Sequence, residues 1–119
     1  MKIAIIGSGN IGGTLEKHFK NAGHEVKVAN SRGPLTVDEC AKFGDVVILA
    51  VPFRKPEALP KPEVVAGKIV VDAMNAYQED GSVQSFKPSS SSQQTLKRLP
   101  KARLVKAFNT IWSEHLAKN

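Results

Sequence analysis

Glycines at positions 7, 9 and 12 form a GxGxxG turn, Gly7-Ser8-Gly9-Asn10-Ile11-Gly12, whose chemistry is to bring backbone N–H groups against a pyrophosphate. The pattern alone is weak, because glycines are common in turns. Its flanks give it weight. An apolar run ends at Ile6, and an amphipathic segment opens at Ile11. Each glycine then has a mechanical reason: Gly7 for the tight turn, Gly9 for backbone approach without a Cβ, and Gly12, beside Gly13, for close packing of a helix on a strand. The N–H groups of Asn10 and Ile11, with a helix dipole behind them, would hold the phosphates. A glycine turn without a ligand is the competing reading, and the flanks argue against it.

A second group follows at the end of the next strand-like run: Asn30, Ser31 and Arg32, with no acidic residue until Asp38. Sites selective for NAD place Asp or Glu here, on the ribose 2′-hydroxyl. A carboxylate would repel a 2′-phosphate. A guanidinium with a neighbouring hydroxyl would hold one through charge-assisted hydrogen bonds. The residues therefore point to NADP(H).

Other chemistry-bearing residues have weaker contexts. His18, His24 and His115 show no metal-ligand spacing and no carboxylate partner, so they read as surface or packing residues, and no metal is expected. Cys40 lies on the apolar side of a short helix and reads as a small buried hydrophobe. Asp72 closes a strand and could cap the turn that follows; a catalytic role for it has little support. No serine sits in a nucleophile-elbow pattern. From Phe86 to Ser113 the chain carries basic residues and no acid. Aromatic interleaving there is thin, so a solvated basic face is favoured over a nucleic-acid patch.

These residues need a frame of strands and helices. Lys2–Ile6, Glu25–Ala29, Asp45–Val51, Ile69–Val71 and Arg103–Ala107 read as five strands. Between them, Ile11, Leu15, Phe19 and Ala22 mark one face of a helix that Gly23 ends. Thr36 and Glu39 have capping-box spacing, which sets a helix over Val37–Phe43. Pro56, Pro60 and Pro62 limit any helix near them to a turn or two. A polar loop over Gln78–Pro88, a serine-capped helix over Gln93–Leu99 and a helical stub over Thr110–Ala117 complete the chain. Strands alternating with crossovers make an α/β fold, a small doubly wound parallel sheet of Rossmann type.

The chain has 119 residues and a mass of 12.9 kDa, the size of a single domain spanning 1–119. With 41% hydrophobic and 24% charged residues it is neither disordered nor membranous. No room for a signal peptide precedes the first strand, which makes a cytoplasmic location the expectation. The formal charge of +6 favours anionic partners without choosing among them.

Four blocks in order resemble the deazaflavin (coenzyme F-420)-dependent NADP oxidoreductase family. They are Met1–Gly12, Ala29–Gly33, Val47–Arg54 (Val-Ile-Leu-Ala-Val-Pro-Phe-Arg) and Val105–Thr110 (Val-Lys-Ala-Phe-Asn-Thr). By that resemblance Ser8, Ser31 and Arg32 contact the 2′-phosphate, while Asn10 and Ile11 sit on the pyrophosphate. Val51, Pro52 and Phe53 border the ribose and nicotinamide side, with Ala73, Met74 and Asn75 near the nicotinamide. The family moves hydride between NADP(H) and a deazaflavin. Such a step needs alignment of two rings more than an acid or base, so no catalytic side chain is nominated. The chain departs from the family in three ways: a short Gly33–Gly44 connection, which implies a missing edge strand; Ala76 where proline is common; and an end at Asn119, before the C-terminal helical region of the family.

The reading is thus an NADP(H)-binding oxidoreductase passing hydride to a deazaflavin or flavin-like acceptor. The alternative is a non-catalytic NADP(H)-binding module or sensor. Ile111, Trp112 and Leu116 suggest a self-association surface, and a homodimer is expected.

Overall fold

A computed structural model of the chain describes residues 1–30, 33–51, 58–74 and 91–107. Its elements are β1 (Lys2–Ile6), α1 (Asn10–Asn21), β2 (Glu25–Ala29), α2 (Val37–Phe43), β3 (Val46–Leu49), a 3-10 turn (Pro62–Val64), β4 (Ile69–Asp72), α3 (Ser91–Arg98) and β5 (Arg103–Lys106). The expected polar loop, the serines 89 and 90 and the terminal stub with Ile111, Trp112 and Leu116 lie outside the described residues.

The five strands form one sheet in the order β2-β1-β3-β4-β5, and every pairing is parallel. From β1 the chain steps to β2 on one side, then crosses back to β3 on the other. That reversal makes the β1/β3 boundary a topological switch point. Between β2 and β3 the described residues hold α2 and no strand, so β2 is the sheet edge. The short Gly33–Gly44 connection anticipated this, since it is long enough only for one helix. Strands β3 and β5 are shorter than read, at Val46–Leu49 and Arg103–Lys106. Helix α3 begins two residues earlier than expected.

Both faces of β1, β3 and β4 are covered, which is why these strands read as apolar runs, whereas β2 alternates and β5 is largely exposed. On one face Ala4, Ile6, Val47, Leu49 and Val70 pack with Cys40 and Ala41 of α2 and with Val65 and Leu99. On the other, Ile3, Ile5 and Ile48 pack with Leu15, and Ile11 and Phe19 flank them from α1. Each such aliphatic side chain contributes about 1.5–3 kcal/mol through burial. Ala22, placed on the apolar face by spacing, is instead the exposed C-cap of α1.

Local chemistry sets the helix ends. Gly23 takes φ +91; its N–H donates to the Lys20 carbonyl and that of His24 to the Phe19 carbonyl, both at 3.1 Å. This is the Schellman arrangement, which needs a residue free to adopt positive φ. Thr36 Oγ1 accepts the Glu39 N–H at 3.1 Å and donates to Glu39 Oε1 at 2.9 Å, opening α2. At the far end of α2, Lys68 Nζ donates to the carbonyls of Ala41 (2.7 Å), Lys42 (3.1 Å) and Gly44 (2.8 Å). A cation there complements the negative helix end. Among the described residues no helix is long and apolar enough to cross a membrane.

Candidate functional site

Parallel register brings the ends of all five strands to one rim. Ile6 lies opposite both Ala29 and Leu49, Leu49 opposite Asp72, and Asp72 opposite Lys106. The next residues extend the ladders: Gly7 N–H to the Ala29 carbonyl (2.8 Å), Ala50 to Ile6 (2.8 Å), Ala73 to Leu49 (3.0 Å) and Ala107 to Asp72 (3.2 Å). The rim therefore gathers Gly7, Ser8, Gly9, Asn10, Ile11, Gly12, Asn30, Val51, Ala73 and Met74. Ser31, Arg32, Pro52, Phe53 and Asn75 lie outside the described residues.

Within the glycine turn the three glycines divide into two kinds. Gly7 has φ +108, and a Cβ there would lie 2.5 Å from the Ala50 carbonyl oxygen. A Cβ on Gly12 would collide with the Gly7 carbonyl oxygen. These two glycines are needed by the fold itself: they let the turn, β3 and α1 approach one another. Gly9 differs. Its φ of −72 suits any residue, and no described atom lies within 4 Å of where its Cβ would stand. Open space over a glycine that the fold does not require is what close approach of a ligand to the backbone needs.

Gly9 is also the N-cap of α1, which has no side-chain cap and no acidic residue in its first turn. The first helical bond runs from the Gly13 N–H to the Gly9 carbonyl at 2.8 Å. N–H groups earlier in the turn thus have no helical acceptor. Those of Asn10 and Ile11, at the positive end of the dipole, could hold a phosphate.

Beside the turn, Asn30 Nδ2 donates to Ser8 Oγ at 3.1 Å, joining the loop after β1 to that after β2. Asn30 also accepts the Gly33 N–H on its backbone carbonyl at 3.4 Å. Both side chains are neutral and exposed. Between Asn30 and Val37 the sequence carries no acidic residue.

Across the switch point the rim is built differently. Asp72 is fully buried, and its Oδ1 accepts the Met74 N–H at 3.0 Å. This is the turn cap that its place at the end of a strand suggested. Lys106 Nζ donates to the Met74 carbonyl at 3.1 Å and stands 4.0 Å from Asp72 Oδ2. Sequence reasoning missed Lys106, counting it among the solvated basic residues. Only the β4–β5 register, which joins positions 34 residues apart, shows the pairing.

Cys40 and His24 behave as packing residues, and His115 lies outside the described residues. Burial pushes the Cys40 thiol up, and its Sγ faces the Lys27 carbonyl at 3.3 Å. His24 meets Phe19 edge to face. Among the described residues no group of three His, Cys, Asp or Glu could hold a metal ion.

Comparison with known proteins agrees with this architecture. Residues 2–42 match the family described as NADP oxidoreductase, coenzyme F420-dependent; the blocks at 47–54 and 105–110 lie beyond that stretch. A comparison with curated proteins gave no match. A solved structure from Arthrobacter sp. FB24, provisionally named an F420-dependent NADP-reductase, superposes with a TM-score of 0.81 at 25% identity, covering 96% of this chain and 64% of that one. The hypothetical protein SMa0349 from Sinorhizobium meliloti gives 0.76 at 32% identity, covering 98% and 65%. An imine reductase from Bacillus cereus BAG3X2 shares the fold, with a TM-score of 0.70 at 19% identity over 95% and 42%. The chain spans just under two-thirds of the length of the first two. The resemblance read from the sequence is borne out over residues 2–42, and the chain folds as a Rossmann-like α/β domain.

Proposed function

We propose that this chain binds NADP(H) across the C-terminal rim of its sheet and forms the nucleotide-binding part of an oxidoreductase. Its partner in hydride transfer is a deazaflavin or other flavin-like acceptor. One observation carries the reading: the open space over Gly9, at an uncapped helix N-terminus, beside a β2 end whose side chain there is an amide and not a carboxylate. Gly7, Gly9, Gly12, Asn10 and Ile11 take the pyrophosphate. Ser8, Asn30, Ser31 and Arg32 take the 2′-phosphate end, and Val51, Pro52, Phe53, Ala73, Met74 and Asn75 border the nicotinamide half. The cofactor supplies a hydride, and the acceptor takes up that hydride with a proton from solvent. The chain's own contribution is to bind, orient and exclude water, and no side chain need exchange a proton.

The family match and the two solved structures at 25% and 32% identity support this reading. The same nucleotide-binding groups also serve a second reading, a non-catalytic NADP(H)-binding module.

Calorimetric titration with NADPH and, separately, NADH at fixed moderate salt tests the first step. NADPH binding at least about tenfold tighter than NADH is expected, from charge-assisted hydrogen bonds to the 2′-phosphate. Absence of heat and of thermal stabilisation with both nucleotides overturns the proposal. Anaerobic mixing of the NADPH complex with a deazaflavin then separates the two readings. Loss of reduced-nicotinamide absorbance marks the reductase, and its persistence marks the module.

A further inference from the structure

Asp72 and Lys106 hold one residue by both ends of its main chain. Asp72 Oδ1 takes the Met74 N–H at 3.0 Å, and Lys106 Nζ gives a hydrogen bond to the Met74 carbonyl at 3.1 Å. Asp72 is fully buried, yet its Oδ2 has no hydrogen-bond partner among the described residues, and the Lys106 ammonium is 4.0 Å away. Such an arrangement is a poor stabiliser. Burying a carboxylate is costly unless all its lone pairs are satisfied, and apolar replacements of buried ion pairs are often neutral or stabilising. An apolar residue at the end of β4 would fill the core as Leu49 does at the end of β3 but would leave the Met74 N–H without this acceptor, so core packing alone does not account for the pair.

Its position does. β4 lies two strands from β1, about 10 Å at normal strand spacing, on the other side of the switch point from β2. A dinucleotide with its pyrophosphate on the glycine turn and one nucleoside toward β2 extends its other half over β3 and β4. Ala73 and Met74 form that part of the rim. We propose that Asp72 and Lys106 are positioning residues for the nicotinamide half of NADP(H), acting through the Ala73–Met74 turn that they fix. The inference rests on the NADP(H) reading above and gives Asp72 and Lys106 a role that neither the sequence motifs nor the family match assigned to them. Hydride transfer depends on ring placement to within about an ångström, so a turn held at both its N–H and its carbonyl is suited to the task.

The test compares two probes on the same protein. NADPH carries both halves of the cofactor, and 2′,5′-ADP carries the adenosine and 2′-phosphate without nicotinamide. Lys106→Met should weaken NADPH binding about tenfold, the scale of a lost charged hydrogen bond, and change 2′,5′-ADP binding by less than about twofold. Lys106→Arg, which keeps a cation and a donor, should restore most of the NADPH affinity. Asp72→Asn keeps the Oδ1 acceptor and the side-chain shape; it should shift the two probes in the same unequal way. Fluorescence of bound NADPH, which reports the nicotinamide environment, should move toward that of free NADPH in Lys106→Met. Equal loss of both probes, or unchanged binding of both, overturns the proposal, because the pair is then structural or idle. If the unaltered chain binds neither probe, the NADP(H) reading falls and this inference falls with it. Binding of both by the unaltered chain, with no selective loss in either variant, removes this inference alone.

Discussion

Asn30 and Ser8, 22 positions apart, meet side chain to side chain at 3.1 Å and tie the loop after β2 to the glycine turn after β1. An amide donates where many dinucleotide sites present a carboxylate to the ribose 2′-hydroxyl. The same contact holds Ser8 Oγ beside the open N-terminus of α1. Two neutral polar side chains at this position suit a phosphorylated ribose better than a carboxylate would. Replacing the amide by an acid reverses that logic: Asn30→Asp should lower NADPH affinity by at least about tenfold through like-charge repulsion with the 2′-phosphate. NADH affinity should hold or rise. Titration of the variant with both nucleotides checks this, and a parallel loss of the two would disprove it.

Arg32 is the second determinant expected from the sequence. Arg32→Ala should weaken NADPH binding by about 1.5–3 kcal/mol, the scale of a hydrogen bond to a charged group, and leave NADH within about twofold. The difference should shrink at high salt, which screens attraction between a guanidinium and a phosphate. A variant that loses both nucleotides equally would remove Arg32 from the 2′-phosphate site.

Much of this frame was legible because separate signals agreed. The β1, β3 and β4 runs are apolar because both sheet faces are covered, and α2 begins and ends where Thr36, Glu39 and Gly44 set it. Asp72 read correctly as the cap of the following turn. What escaped is the part that depends on register between distant strands. Lys106 reads as one more basic residue until β5 is aligned with β4. Lys68 carries no sequence signal of its own; only the fold brings three carbonyls at the end of α2 to its Nζ. The motif alone gives Gly7, Gly9 and Gly12 their separate roles. The space around each glycine distinguishes them.

Lys68 supports the fold away from the rim. Its ammonium bonds the carbonyls that end α2, at the opposite ends of the strands from the glycine turn. Lys68→Met should cost about 1–3 kcal/mol for hydrogen bonds to a charged group, seen as a lower urea midpoint. NADPH affinity should be unchanged in the folded variant. An affinity loss matching the stability loss would mean that the two ends of the sheet are coupled.

Cys40 makes stability depend on alkaline pH. Burial raises its folded thiol pKa above the ordinary value, so the folded chain retains a proton that the unfolded chain releases at about pH 8.5–9. Below that range both states are protonated and the group has no effect. Above it the unfolded state binds fewer protons, and stability falls as pH rises. Urea midpoints should therefore decline between pH 7.5 and 9.5 more steeply in the unaltered chain than in Cys40→Ala. Equal slopes would show that the thiol is not the source.

Gly7 and Gly9 stand two residues apart in one motif and should respond to the same substitution in opposite ways. Gly7→Ala forces an L side chain into φ +108 and drives its Cβ to 2.5 Å from the Ala50 carbonyl oxygen. Backbone strain and overpacking together should cost about 2–5 kcal/mol, because the obstacle is main chain of the adjoining strand and cannot rotate away. Gly9→Ala meets no described atom within 4 Å and keeps an ordinary φ of −72. Its cost should be at most about 1 kcal/mol, the loss of a favoured N-cap residue. Its methyl group, however, occupies the space above the uncapped N–H groups. NADPH binding should fall at least about tenfold in Gly9→Ala while its thermal midpoint stays near that of the unaltered chain. Thermal melts with and without NADPH separate the two effects. Undiminished nucleotide stabilisation in Gly9→Ala would show that the pyrophosphate does not lie against this turn.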